Sequence, residues 1–125
     1  MANLSTISGL QSVVHDMAVN KGWWPYPINL AGGGFRLEPD QIGAKLALIH
    51  SEVSEALEAV RDGKLDRYEN PDRPGKPEGL PSELADIVIR VADLAGALGI
   101  NLEDAIADKV AYNARRVHRH GGRAL

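Results

Sequence analysis

The sequence contains no cysteine, which excludes disulfides, zinc–thiolate sites and thiol catalysis. No stretch approaches the roughly 18 apolar residues that a membrane span needs. The N-terminus has no basic region followed by an apolar core, so we expect no signal peptide. The net charge of −3 argues against general binding to a nucleic-acid polymer. These absences predict a cytoplasmic protein that binds neither membranes nor nucleic-acid polymers.

The length of 125 residues fits one domain, 1–125, with a core that needs no disulfide or structural metal. Charge is unevenly distributed, because the segment from Lys109 to Leu125 contains basic residues and no acid. Such a segment indicates either a solvated tail or a local anion site. We assign 117–125 as a basic tail and include His118 and His120 in it.

Apolar residues at helical spacing predict four helices, with Ser5, Asp40 and Asn101 as caps of the first, second and fourth. The predicted helices span about Ser5–Lys21, Asp40–Arg61, Pro81–Leu98 and Asn101–Arg116, and Gly99 ends the third. Proline-rich loops precede the second and third helices, and the first loop contains a Gly32-Gly33-Gly34 run typical of a linker. Without an alternating strand pattern, this organisation predicts an all-α fold, a four-helix bundle.

The third predicted helix has one narrow charged stripe, made of Glu83, Asp86, Arg90 and Asp93. Steps of three and four residues place these side chains within an arc of roughly 80°. The rest of the helix is apolar or small, which predicts burial on most sides. Buried carboxylates are unfavourable unless they are paired or bind a metal. The alternative is a solvent-facing stripe, although a solvent face is normally wider and contains Lys, Gln or Ser.

The second predicted helix repeats the acidic pair as Glu52 and Glu55, which share one face. Glu52 lies among apolar residues, and Glu55 lies toward the rim. Helical acids are common, so this pair gains weight from Glu83 and Asp86 on a helix that can pack against it. Four carboxylates form a hard oxygen cage suited to Mg²⁺ or Mn²⁺, and Mg²⁺ held in this way typically binds substrate phosphates.

Two further features suit a nucleotide. The end of the fourth predicted helix has one face that contains Lys109, Asn113 and Arg116. This face could clamp an anion. The alternative is the ordinary enrichment of basic residues at a helix C-terminus. Trp23 and Trp24 could stack on a nucleobase or pack against the end of the bundle.

His15-Asp16 resembles the core of a metal-dependent phosphohydrolase motif. The further His and Asp ligands at suitable spacing are missing, so we do not include this dipeptide in the site.

Three motifs together resemble the MazG-like all-α nucleoside triphosphate pyrophosphohydrolases, over most of the chain from about His15 to Arg123. They are Glu52-x-x-Glu55, Glu83-x-x-Asp86 and Lys109-x-x-x-Asn113-x-x-Arg116. The flanking segments Lys21-Gly22-Trp23-Trp24, Ile49-His50-Ser51-Glu52 and Arg119-His120-Gly121-Gly122-Arg123 also resemble small single-domain members of bacterial and phage type.

The resemblance implies a dimeric or tetrameric four-helix bundle that cleaves a nucleoside triphosphate between the α and β phosphates. The products would be a nucleoside monophosphate and pyrophosphate, with Mg²⁺ as the cofactor. The implied metal ligands are Glu52, Glu55, Glu83 and Asp86. The implied contacts to phosphate or nucleoside are Lys109, Asn113 and Arg116, with base stacking near Trp23 or Trp24.

The chain departs from the family pattern at two positions. Ser51 stands where many members have a further Glu, which leaves open whether Glu52 or Glu55 activates the water. Arg90 stands where some members have Tyr, so base contacts cannot be transferred. We expect Arg90 and Asp93 to contact the substrate or support the metal ligands.

Two other functions fit the same residues. One is a non-catalytic nucleotide or alarmone sensor, which would bind Mg²⁺ and nucleotide without turnover. The other is a structural helical oligomer whose acids pair with Arg90, Arg115 or Arg116 across an interface. Such an oligomer would show no metal-dependent change in melting temperature, whereas a metal binder is stabilised by mass action.

Overall fold

The structure, a computed structural model, describes residues 3–24 and 37–116. Within these residues the helices are α1 (Ile7–Asn20), α2 (Pro39–Arg61), α3 (Leu80–Leu98) and α4 (Leu102–Ala114). The predicted all-α class is therefore confirmed. An antiparallel pair of two-residue strands, β1 (Tyr68–Glu69) and β2 (Pro77–Glu78), lies in the second loop and was not predicted. The Gly32-Gly33-Gly34 run, the tail 117–125 and its two histidines lie outside the described residues.

The first two helices begin differently from the prediction. Thr6, rather than Ser5, caps α1, because its Oγ1 accepts a hydrogen bond from the Gly9 N–H at 2.9 Å. α2 begins at Pro39, so Glu38 is its cap and Asp40 lies within the first turn. Proline suits this position because the first turn of a helix leaves its N–H groups without intrahelical partners.

The ends of α3 and α4 follow the predicted signals more closely. Gly99 ends α3 with a φ of +67°, a left-handed conformation that glycine adopts readily. Asn101 caps α4, and its Oδ1 accepts a hydrogen bond from the Asp104 N–H at 3.0 Å. α4 ends at Ala114, two residues before the predicted end, so Arg116 lies beyond the helix.

α3 lies between α1 and α2, and α4 packs against α1. The buried cluster consists of Ala18, Trp24, Leu94 and Ala97, with Leu37, Ile49 and Leu98 packed against it. At the turn between α3 and α4, the Gln11 side chain donates to the Ile100 carbonyl at 2.7 Å and accepts from the Leu102 N–H. α1 therefore fixes both neighbouring helix ends.

The prediction that α3 is buried on most sides is wrong for its first half. Leu84 and Val88 are each 52% exposed, whereas the buried positions all lie between 92 and 97. α1 and α2 pack against α3 but leave these two side chains exposed. Further exposed apolar side chains are Val53, Leu57 and Val60 on α2, and Ile106 and Val110 on α4. None of the described helices is both long and apolar enough to cross a membrane.

Replacement of Gly96 by alanine tests the contact between α1 and α3. A Cβ at Gly96 would lie 2.8 Å from the Cβ of the buried His15, so the helices would have to separate. We expect Gly96→Ala to lower the free energy of unfolding by about 1–3 kcal/mol in urea denaturation. The control is Gly43→Ala in α2, where a Cβ meets nothing within 4 Å. It should stabilise the protein by up to about 1 kcal/mol. Equal effects of both changes would contradict the close approach.

Candidate metal centre and adjoining pocket

Three acids from α2 and α3 converge at one point. Glu52, Glu55 and Glu83 can each offer a carboxylate oxygen, and these atoms lie within 4.8 Å of one another. Glu52 and Glu55 are neighbours on one face of α2, while Glu83 is in the first turn of α3, where the helix dipole favours an acid. Glu52 is only 8% exposed, as its apolar neighbours predicted, and Glu55 is exposed.

Glu83 is the least compensated of these acids. Its Oε2 atom is buried and has no hydrogen-bond partner among the described residues. Burial raises the pKa of Glu83, and repulsion from Glu55, Asp86 and Glu52 raises it further. A buried carboxylate oxygen without a donor is unfavourable, and a cation coordinated by oxygen would compensate it. The residues present therefore fit a hard divalent ion such as Mg²⁺ or Mn²⁺.

Asp86 lies beside this centre, outside the group of three. Its pKa is raised by partial removal from water and by repulsion from Glu52, and it is lowered in part by Arg90. Three of the four acids predicted from the sequence thus come together, and the fourth, Asp86, is exposed beside them.

Arg90 connects the acidic centre to the rest of the site. Its Nε donates a hydrogen bond to Glu52 Oε1 at 2.6 Å, which provides the buried carboxylate with a charged partner. The Arg90 side chain is 43% exposed, whereas that of Glu52 is largely buried. Glu52 therefore depends on this ion pair to compensate its charge more than Arg90 does, because Arg90 is better exposed to water.

Asp93 points toward α1 instead of the metal centre. Its Oδ1 lies 2.8 Å from His15 Nδ1, and Trp24 Nε1 donates to the two oxygens at 3.0 and 3.2 Å. Both carboxylate oxygens are thus used in holding α1 and Trp24 against α3. Substrate binding by Asp93 stays a prediction. The contact of His15 with Asp93 was not predicted from the sequence. The sequence signal for it is a histidine beside the apolar positions Val14 and Ala18 of α1.

A pocket of about 200 Å³ adjoins Arg90. It is lined by Trp23, Trp24, Lys45, Leu48, Arg90, Asp93 and Leu94. Lys45 was not identified from the sequence, although it lies seven residues before Glu52 on α2. Its Nζ is 4.1 Å from the centroid of the Trp24 ring and donates to the Trp23 carbonyl at 3.4 Å. The pocket therefore combines two cationic groups and the Asp93 carboxylate with aromatic walls.

The two tryptophans have different environments. Trp24 is 6% exposed and belongs to the buried cluster, as the packing alternative predicted. Trp23 is 57% exposed. An incoming planar group would therefore have easier access to Trp23.

The three predicted phosphate contacts lie on α4 or just beyond it, on a different element from the acids. Lys109, Asn113 and Arg116 are exposed, and α4 packs against α1 instead of against the α2–α3 pair. The charged groups of Lys109 and Arg116 lie 5.6 and 5.9 Å from the ring centre of Tyr112. Within the described residues, none of the three predicted phosphate contacts meets the acidic centre.

Comparison with known proteins gives no match: no model of a protein family, no characterised protein and no solved structure is significantly similar to the chain. The resemblance to MazG-like enzymes therefore rests on the sequence motifs alone.

Replacement of Asp93 by asparagine tests the contact among α1, Trp24 and α3. The amide keeps the shape but removes the charge that His15 and Trp24 contact. We expect Asp93→Asn to lower the free energy of unfolding by about 1–3 kcal/mol, measured by urea denaturation with tryptophan fluorescence. Asp108→Asn, at an exposed position of α4, is the control and should change little. Indistinguishable unfolding curves would contradict the structural role of Asp93.

The raised pKa of Glu83 predicts a pH dependence in the presence of a chelator. The folded state holds the proton at a higher pH than the unfolded state, so stability falls as pH rises from the ordinary glutamate range through the raised pKa. Glu83→Gln should flatten this dependence and stabilise the metal-free protein near neutral pH by about 1 kcal/mol. Free energies of unfolding between acidic and neutral pH provide the measurement. Glu58→Gln, at an exposed acid paired with Arg61, should retain the wild-type slope.

Proposed function

We propose that this protein is a Mg²⁺-dependent nucleoside triphosphate pyrophosphohydrolase, with Mn²⁺ as a possible substitute. The observation that carries the proposal is the convergence of Glu52, Glu55 and Glu83, of which Glu83 has a buried oxygen, Oε2, that lacks a donor. Carboxylates arranged in this way suit a hard cation that binds substrate phosphates. The resemblance to the MazG-like family provides the reaction, cleavage between the α and β phosphates.

In the proposed reaction, water adds across the α–β anhydride and yields a nucleoside monophosphate and pyrophosphate. Glu52, Glu55 and Glu83 would hold the ion, with Asp86 at its edge. When bound, Mg²⁺ would neutralise phosphate charge and lower the pKa of the attacking water. Glu52 is already engaged by Arg90, whereas Glu55 is exposed. Glu55 is therefore the better candidate to orient the water and accept its proton.

The adjoining pocket supports a nucleotide as the substrate. Arg90 and Lys45 both line the pocket and provide the positive charge that a triphosphate requires. The exposed indole of Trp23 offers a surface for a nucleobase. Trp24 would support this wall from the core, since its ring already has Lys45 on one face.

The proposal includes a homo-oligomeric four-helix bundle. The exposed apolar side chains Leu84 and Val88 on α3, together with those of α2, support association with a second copy. The distance in the fold between α4 and the acids also supports it, because Lys109, Asn113 and Arg116 could then reach the acidic centre of a neighbouring copy.

A nucleotide assay tests the proposed function. Purified protein is incubated with a panel of ribo- and deoxyribonucleoside triphosphates and Mg²⁺, and pyrophosphate release is measured. Glu52→Gln and Glu83→Gln should each lower kcat/KM by at least about a hundredfold, as expected when a charged group is lost from a reaction centre, and Asp86→Asn should lower it less. Glu58→Gln should match the wild type. Absent pyrophosphate release, or release unchanged in the Glu52 and Glu83 variants, would contradict the proposal.

The Glu52–Arg90 ion pair favours a structural role for the acids as the second candidate. In that case divalent ions would leave the melting temperature unchanged. A metal site instead stabilises the folded state, by about 2.7 kcal/mol at a metal concentration a hundred times the Kd. Metal-dependent stabilisation with nucleotide binding but without turnover would identify a non-catalytic sensor.

A further inference from the structure

Arg90 contacts both the acidic centre and the adjoining pocket. Its Nε is bound to the buried carboxylate of Glu52, and its side chain also lines the pocket that contains Lys45 and Trp23. The terminal guanidinium nitrogens donate no hydrogen bond to a described residue. A group with a fixed Nε and free terminal N–H groups is arranged to bind one partner while retaining donors for another.

Glu52 also belongs to the candidate metal centre, so two cations would compete for it. A guanidinium 2.6 Å from a carboxylate oxygen and a divalent ion within the same group of acids would repel each other strongly in a partly buried site. Arg90 is able to move because it is nearly half exposed, whereas Glu52 is held in the contact between α2 and α3.

We propose that Arg90 is an internal counter-ion of Glu52 that a divalent cation displaces, and that the released guanidinium binds a phosphate group in the adjoining pocket. The inference rests on the metal site of the proposed function and adds a coupling to it. Without metal, Arg90 compensates the buried charge of Glu52. With metal, the positive charge moves to the pocket, where Lys45 already provides a second cation.

The coupling has a defined thermodynamic consequence. If metal frees Arg90 for the phosphate, metal increases the affinity for the nucleotide, and by linkage the nucleotide increases the affinity for metal to the same extent. Removal of the guanidinium should therefore act in opposite directions on the two ligands. It should strengthen metal binding in the absence of nucleotide and weaken nucleotide binding in the presence of metal. A simple loss of folding would weaken both.

The experiment compares the wild type with Arg90→Gln, Arg90→Lys and Arg61→Gln by titration calorimetry. Arg61 is the control, because it forms an exposed ion pair with Glu58 on α2. Mn²⁺ is titrated alone, and then a triphosphate with a methylene bridge between the α and β phosphates is titrated with saturating Mn²⁺. For Arg90→Gln we expect Mn²⁺ affinity to rise roughly three- to tenfold and triphosphate affinity to fall by about tenfold. Arg90→Lys should restore part of the triphosphate affinity, since it keeps the charge but not the fork geometry.

The outcomes separate this inference from the proposed function. Mn²⁺ binding to the wild type with equal or weaker binding to Arg90→Gln overturns the inference and leaves the metal centre in place. Unchanged triphosphate affinity in Arg90→Gln overturns the transfer of Arg90 to the pocket. If Mn²⁺ binds to none of the four proteins, the metal centre of the proposed function fails, and the displacement of Arg90 fails with it.

Discussion

Packing of α2 against α3 brings carboxylates of the same charge together, and the chemistry of this protein depends on how that repulsion is compensated. Glu52 is nearly buried and is neutralised by Arg90 at 2.6 Å. Glu83 has no such partner for its buried Oε2. A buried ionised group without a partner is unfavourable by several kcal/mol, so it protonates or acquires a cation. The raised pKa of Glu83 and its fit to a metal ion are two consequences of the same constraint.

The charged stripe of α3 serves both neighbouring helices. Glu83, Asp86 and Arg90 lie toward the acids of α2, whereas Asp93, further along the stripe, binds His15 of α1 and Trp24. This division follows from the position of α3 between α1 and α2. The contact at Asp93 holds α1 and Trp24 against the helix that carries Glu83 and Asp86, and Asp93 also lines the adjoining pocket.

The positive groups are also divided. Arg90 contacts the acidic centre and lines the adjoining pocket with Lys45, while Lys109 and Arg116 are exposed on α4 and just beyond it. In one chain, the pocket cations are therefore the ones available to a phosphate held near the acids. The apolar side chains Leu84 and Val88 of α3 are also exposed, and an exposed apolar surface of this kind is typical of an interface.

Features that depend on local interactions follow from the amino-acid sequence alone. Helical periodicity located all four helices of the described residues. The signals at Gly99 and Asn101 correctly marked the end of α3 and the start of α4, because a cap involves residues within one turn. The burial of Glu52 was also predictable from its apolar neighbours. α2 starts at Pro39 instead of Asp40, because proline suits the first turn of a helix as well as a loop.

Which side chains meet depends on how the helices pack, and the sequence patterns do not contain that information. The contact of Glu83 with Glu52 and Glu55 depends on the register between α2 and α3, and the separation of Asp86 from the group depends on it too. The contacts of His15 with Asp93 and of Lys45 with Trp24 join positions far apart in sequence. The contact of His15 with Asp93 also requires the close approach of α1 and α3 that Gly96 permits. Helical spacing defines the face on which a residue lies, but it carries no information about the partner that packs there.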